Sequence, residues 1–206
     1  MESGEKEIKV VVFDLNGTFY NKSSKDEFYR FICAKEPGRA GYFLQMMYYK
    51  VLKKLHRIRK TEFKENFFNY LDNLLPDQVE AYAKEFWEKE YPANFNGELK
   101  SRFDEHREQG VHIFCATGGL ELYVRPLFNL YTIDGFAGTM VRYADNTYKV
   151  IGDACKDGEK VTRLDKHFNG KPYRIIEAYS DSKEPILDKA EKAFLVKEGE
   201  IIRYKK

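Results

Sequence analysis

The sequence is poor in the features that announce several classes of protein. It holds three cysteines, Cys33, Cys115 and Cys155, an odd number without C-x-x-C spacing. That excludes a zinc ribbon, a dithiol redox centre and a disulfide framework, and fits a reducing compartment. It has no apolar run near the roughly 18 residues that a membrane span needs. Its first seven residues, Met1 to Glu7, are polar and lead straight into a strand-like segment, unlike a secretory leader. The expected location is the cytoplasm. Net charge is nearly absent: 35 Lys and Arg against 33 Asp and Glu leave +2, so no global field of the kind that marks a nucleic-acid binder exists. There is no internal repeat and no low-complexity segment.

Aromatic residues, by contrast, are plentiful. The chain has 16 Phe and 15 Tyr in 206 residues, with 43% hydrophobic residues overall. That is enough to bury a core and too much for disorder. The length allows one α/β domain, or a core carrying one insertion.

Ile8 to Phe13 is a β-branched run of the kind found in strands buried on both faces of a parallel sheet. After Asn21 the pattern turns helical. Ser24 and Glu27 stand at capping-box spacing, followed by Phe28, Phe31 and Ile32 on one face. Leu44, Met47, Val51 and Leu55 form a second stripe, Phe63, Phe67, Tyr70 and Leu74 a third, and Val79, Ala83 and Phe86 a fourth, behind the helix-starting Pro76. No strand signal interrupts this block to about residue 95. Alternation then returns. A helix to Gln109 precedes the strand Val111 to Ala116, and Phe136 to Tyr143 with Thr147 to Ile151 read as an antiparallel hairpin around Asp145-Asn146. A helix over 158–168, a strand from Tyr173 to Tyr179, a short helix from Glu184 to Lys192 and a closing hairpin around Gly199 complete the chain. A strand, a helical block and then βαβ units predict an α/β core, residues 1–20 and 96–206, with a helical insertion at 21–95.

In open parallel sheets, ligands bind at the carboxyl ends of the strands. Past the first strand stands Asp14-Leu15-Asn16-Gly17-Thr18, a carboxylate followed by a glycine that lets backbone N–H groups approach an anion. Past the second stands Thr117-Gly118-Gly119, a hydroxyl with permissive backbone suited to a phosphate oxygen. Past the Tyr173 strand stands Ser180-Asp181-Ser182-Lys183-Glu184, whose carboxylates could meet Asp14 around a hard divalent cation. Lys160 opens a helix and offers a point charge to an anion. Each signal alone is as consistent with an ordinary turn or surface charge; their order and placement together are more specific.

These four stretches resemble the motifs of the haloacid dehalogenase superfamily, and nearly the whole chain takes part. The phrases Val-Val-Phe-Asp-Leu-Asn-Gly-Thr, Glu-Leu-Tyr-Val-Arg-Pro-Leu, Gly-Glu-Lys-Val and Ala-Tyr-Ser-Asp-Ser are similar to the branch holding phosphoserine phosphatases and a bacterial phosphatidylglycerophosphate phosphatase. The resemblance implies a Rossmann-like core with a helical cap, a bacterial source, and phosphoester hydrolysis with Mg²⁺. Asp14 would be the nucleophile. Thr117 and Lys160, with Gly17, Thr18 and Gly118, would hold phosphoryl oxygens, and Asp14, the Asn16 carbonyl and Asp181 would bind the metal. The implied substrate is a phosphorylated small molecule or a lipid phosphate, and no nucleic acid.

Two positions depart from that pattern. Such phosphatases carry an aspartate two residues after the nucleophile as general acid and base, and here the residue is Asn16. An amide cannot exchange that proton, so the expectation is reduced turnover, a phosphate-binding protein that has lost turnover, or an Asp-to-Asn change made to trap a complex. In the last motif Glu184 follows Asp181 at shorter spacing than usual, which leaves its part in the metal site open.

From Arg39 to Lys60 the chain has Arg39, Lys50, Lys53, Lys54, Arg57, Arg59 and Lys60, together with His56 and no acid. The same stretch holds Tyr42, Phe43, Leu44, Met46, Met47, Tyr48 and Tyr49. Either these aromatics pack the insertion under a solvated basic face, or residues 39–60 meet an anionic lipid surface as a peripheral membrane contact. The four histidines form no ligand set, and Trp87 is expected inside the insertion.

Overall fold

Val10, Val11, Val12 and Phe13 are all buried, which requires a central strand covered on both faces. They form β1 (Ile8–Phe13) of a computed structural model that describes residues 7–204. The polar stretch Met1 to Lys6 lies outside the described residues. After β1 come the helices α1 (Ser24–Lys35), α2 (Tyr42–Lys54), α3 (Lys60–Phe67) and α4 (Pro76–Glu90). Then follow α5 (Gly97–Glu108), β2 (His112–Leu120), the single turns α6 (Glu121–Val124) and α7 (Leu127–Leu130), and β3 (Gly135–Thr139). The hairpin β4 (Val141–Ala144) and β5 (Thr147–Val150) leads to α8 (Gly158–Phe168), β6 (Tyr173–Ser180), α9 (Pro185–Asp188), β7 (Lys192–Lys197) and β8 (Glu200–Arg203).

The main sheet has the order β3-β2-β1-β6-β7-β8, parallel except for β8. From β1 the chain moves outward through β2 and β3, then returns to place β6 on the other side of β1. That reversal opens a crevice at the carboxyl ends of β1 and β6. Phe13 is in register with both Cys115 and Tyr179, so the residues just beyond them emerge side by side. The Asp14 N–H donates to the Tyr179 carbonyl at 2.9 Å, which pins the end of β1 to β6.

Alternation along β1 divides the core. Val10 and Val12 face Val161, Leu164 and Phe168 of α8, whereas Val11 and Phe13 face α5 and the helical block. Phe13 stacks on Phe103 with ring centroids 4.7 Å apart and meets Phe19 edge-on at 5.2 Å. Such pairs are worth roughly 0.5–1.5 kcal/mol beyond their burial. The aromatic cluster continues without a break into Phe28, Phe67, Phe86 and Trp87, and the Trp87 Nε1–H donates to the Tyr123 carbonyl at 2.6 Å. The helical block is thereby packed onto the sheet through shared apolar contacts, and Trp87, expected inside the insertion, is buried at this seam against Tyr20, Phe86 and Phe95.

Several local expectations are corrected. Thr117-Gly118-Gly119 does not form a turn after a strand; it lies inside β2, where the pairing with β3 shifts register between Ala116 and Leu120. The segment Phe136 to Tyr143 is split, its first half joining the main sheet as β3 and its second half forming the hairpin with β5. The helix expected at Glu184 to Lys192 is one turn, because β7 begins at Lys192. The capping box of Ser24 and Glu27 does not form: Ser23 is the N-cap, and the Ser24 N–H donates to Asn16 Oδ1 at 2.7 Å. Last, the stripe on α2 faces outward. Leu44, Met47, Val51 and Leu55 are 77%, 42%, 50% and 60% exposed, and Met46 is the buried residue of this helix. Periodicity identifies residues that share a face, and it cannot say what that face meets.

Candidate active site

Lys160 is built into the site by its helix. It shares the inner face of α8 with Leu164 and Phe168, one and two turns further on, and it is 1% exposed. The apolar anchors turn that face toward the sheet, so the ammonium is driven under the ends of β1 and β6. There it lies 2.5 Å from Glu184 Oε2 and 3.2 Å from Asp14 Oδ2. Burial works against its charge, but attraction to Asp14 and Glu184 and the hydrogen bonds to both prevail, and its pKa is raised. Glu184 also accepts from the Ser180 hydroxyl at 3.3 Å. The carboxylate that the sequence left open is therefore the partner that holds the lysine.

Asp14 Oδ1 accepts the Leu15 N–H at 2.7 Å, which fixes the carboxylate at the mouth of a cavity of about 290 Å³. Asp181 lies on the same wall. Burial and the nearby charge of Asp14 raise its pKa, so the two carboxylates repel one another. A divalent cation would relieve that repulsion. Among the described residues no group of three His, Cys, Asp or Glu is placed to hold a metal, and a carboxylate pair with backbone oxygen and water is the set that Mg²⁺ takes. The donors present fit Mg²⁺ held by Asp14, Asp181 and the Asn16 carbonyl.

Asn16 links three parts of the molecule. Its Oδ1 receives the first N–H of α1, and its Nδ2 donates to Thr117 Oγ1 at 3.3 Å. The orientation of the amide follows, since the Ser24 N–H needs an acceptor. Thr117 also receives the Gly119 N–H at 3.1 Å.

The expected residues thus fall into two groups. Asp14, Asn16, Gly118, Lys160 and Asp181 line one cavity. Thr117 is buried behind Asn16, and Thr18 is buried with its hydroxyl unpartnered. Gly17 is corrected in its reason. Its N–H donates to the Tyr20 carbonyl at 2.8 Å and is not offered to an anion. Its φ is +68°, and a Cβ there would lie 3.1 Å from Cβ and Oδ2 of Asp181. This glycine is needed so that the loop after β1 can close on Asp181. Sequence reasoning missed Lys64 and Lys156, which also reach the cavity. For Lys64 a signal existed: it is one turn before the buried Phe68, so a charge stood on an apolar helix face.

A family model described as haloacid dehalogenase-like hydrolase matches residues 11–184. The chain belongs to the haloacid dehalogenase-like hydrolase family. Several solved structures share the fold of this family member. A protein of unknown function from Bordetella pertussis Tohama I is 17% identical, with 91% of this chain and 89% of that one covered at a TM-score of 0.76. A phosphoserine phosphohydrolase-like protein from Francisella tularensis subsp. tularensis SCHU S4 is 20% identical, with 90% and 86% covered at 0.62. A phosphoserine phosphatase solved as a phospho-aspartyl intermediate analogue is 18% identical, with 91% and 86% covered at 0.56. No curated protein matches the sequence.

The contact between Gly17 and Asp181 generates a test within this hydrolase. Gly17→Ala adds a Cβ at positive φ against Asp181, so Mg²⁺ affinity measured by calorimetry should fall by about 10–100-fold, as for other supports of metal ligands. Unchanged affinity would mean that Asp181 does not hold the ion.

Proposed function

We propose that this hydrolase is a Mg²⁺-dependent phosphohydrolase that works through an aspartyl-phosphate on Asp14 and turns over slowly because of Asn16. The observation that carries this reading is the ion-paired triad of Asp14, the buried Lys160 and Glu184 beside Asp181 at the switch point of the sheet. The Asp14 carboxylate attacks phosphorus, forming an O–P bond as the bond to the leaving oxygen breaks. Lys160 holds the carboxylate and stands ready to share its charge with a phosphoryl oxygen in the transition state. Bound Mg²⁺ would offset the repulsion between carboxylate and dianion. The solved neighbour with a phospho-aspartyl analogue supports the same chemistry on this fold.

Asn16 lines the cavity beside Asp14, and in this reading it takes the position of the general acid and base with no proton to exchange. Both its polar atoms are already engaged, Oδ1 by α1 and Nδ2 by Thr117. The leaving oxygen therefore departs unassisted, and water attacking the phospho-enzyme meets no base. An aspartate would fit, one oxygen keeping the Ser24 N–H and the other taking the Thr117 hydroxyl proton.

A lipid phosphate is the substrate class that α2 favours. Six large apolar side chains, Phe43, Leu44, Met47, Tyr48, Val51 and Leu55, are exposed along it. The expectation that the aromatics of this segment pack the insertion holds for Tyr42 and Tyr49, which rest partly buried on the core, and fails for Phe43 and Tyr48. Of the cations in this stretch, Lys54, Arg57 and Arg59 are exposed, while Lys50 and Lys60 pair with Asp26 and Asp157; the three exposed ones suit an anionic bilayer. A second cleft under α2, lined by Phe43, Met46 and Met47, shares Ser23 with the active cavity. Among the described residues no helix is long and apolar enough to cross a membrane, so the contact would lie at the interface.

Phosphate release from ordinary monoesters should rise about 10²–10⁴-fold in Asn16→Asp, less for acyl phosphates whose leaving groups need no acid, and vanish in Asp14→Ala. No release by the Asn16→Asp protein would end the phosphohydrolase reading. For the membrane contact, the structure directs the choice of variant. Lys50 is occupied with Asp26 at 2.8 Å and Lys53 sits over the Phe63 ring at 4.6 Å, so the apolar face is the cleaner target. Co-sedimentation with phosphatidylglycerol vesicles should fall at least about tenfold in Leu44→Glu with Val51→Glu. Equal pelleting of both proteins would remove the lipid surface, as would a concentration-dependent dimer that the same variant abolishes.

A further inference from the structure

Besides Lys160, four lysines reach the wall of the active cavity: Lys22, Lys25 and Lys64 from the helical block, and Lys156 from the loop before α8. Two of them are answered by acids, Lys22 by Glu90 at 3.0 Å and Lys25 by Asp26 at 2.7 Å. Lys64 and Lys156 have no carboxylate within 4.0 Å among the described residues. Lys64 is 4% exposed, and its ammonium donates to the Gly118 carbonyl. The Lys156 side chain crosses the same glycine, where a Cβ would lie 2.9 Å from its Cε and 3.3 Å from its Cγ. Gly118 thus leaves room for the Lys156 side chain and offers its carbonyl to Lys64, and both lysines line the cavity that Asp14 also lines.

A buried cation without a counter-ion is unfavourable, and more so beside others of its sign. Burial, followed by the charges of Lys156, Lys25 and Lys53, brings the Lys64 pKa well down, with Asp14 opposing. Phe63 and Phe67 anchor the apolar face of α3, and the Lys64 ammonium lies 5.9 Å from the centroid of the Phe68 ring; neither contact supplies a counter-charge. The three acids on the cavity wall are at the sheet end: Asp14 and Glu184 hold Lys160, and Asp181 packs on Gly17. On the side of the helical block the wall presents Lys22, Ser23, Lys25 and Lys64. Glu90 and Asp26, which pair with Lys22 and Lys25, do not line the cavity, so the block offers no carboxylate to an ammonium group of a substrate.

We propose that Lys64 and Lys156 form a second anion subsite, which binds an anionic group carried by the substrate in addition to the phosphoryl group that meets Asp14. The inference rests on the phosphohydrolase reading and narrows it. The substrate is a phosphate ester with a second negative group a short distance away, a carboxylate or another phosphate, and not a phosphorylated amine. Lys64 and Lys156 are specificity residues in this account, because the group they meet takes no part in bond making.

The test is a binding comparison on the Mg²⁺-loaded protein with three probes: inorganic phosphate, phosphoglycolate, which adds a carboxylate, and phosphoethanolamine, which adds an ammonium at similar length. Phosphoglycolate should bind about tenfold or more tightly than phosphate, and phosphoethanolamine no better than phosphate. Lys64→Met and Lys156→Met should each remove the advantage of phosphoglycolate while leaving phosphate affinity within about threefold. Lys64→Met should also melt no lower than the parent, since it removes an uncompensated buried charge; a clear fall in Tm would assign Lys64 a structural role and overturn the proposal. Equal binding of phosphoglycolate and phosphoethanolamine would overturn it too, as would parallel loss of phosphate and phosphoglycolate in both variants. If neither the parent nor Asn16→Asp binds phosphate at all, the phosphohydrolase reading itself fails and the subsite falls with it.

Discussion

The ion pair network of Lys160 with Asp14 and Glu184 is the constraint on which the rest of the site depends. A lysine that is 1% exposed keeps its charge because two carboxylates face it, and loss of both would leave a buried charge uncompensated. The network also determines direction. Glu184 draws the ammonium from one side while Asp14 presents its free oxygen from the other, so the lysine bridges the ends of β6 and β1. Its cost is offset by the apolar face of α8, which has Val161, Leu164 and Phe168 packed against Val10 and Val12.

Asn16 plays the complementary part on the other side of β1. Through the Ser24 N–H it caps α1, and through Thr117 it reaches β2, so a residue in the site serves as the joint between the sheet and the helical block. This explains how an amide can hold a position at which proton transfer would be expected: the hydrogen bonds that keep it there do not need a titrating group. In the proposed function, the geometry of the site is retained while the proton-transfer role at Asn16 is absent. Charge on the cavity wall is likewise divided: the three acids are at the sheet end with Lys160 among them, and Lys22, Lys25 and Lys64 come from the helical block.

Much of this was legible in the chain. β1, the βαβ alternation and the helical block follow from β-branched runs and helical periods, and the order of the four motif positions is visible in the sequence. Other features were hidden for physical reasons. Gly17 reads as an anion-binding glycine, but its value comes from Asp181, 164 positions away in the sequence, and such proximity leaves no local trace. Glu184 could not be assigned because its partner lies on another helix. The stripe on α2 was visible as a stripe, yet only tertiary packing shows that it faces outward. Thr117 sits inside a strand with a register shift, which turn chemistry alone does not foresee.

The central claim is that Asp14 becomes covalently phosphorylated, and Asn16 makes this unusually accessible, since loss of the base slows release of the phosphoryl group. Intact-mass and peptide analysis after incubation with acetyl phosphate and Mg²⁺ measures it directly. The account predicts one added phosphoryl group, located on Asp14, that persists in this chain and is cleared faster in Asn16→Asp. A phosphoryl group on any other residue, or none on either protein, would contradict it.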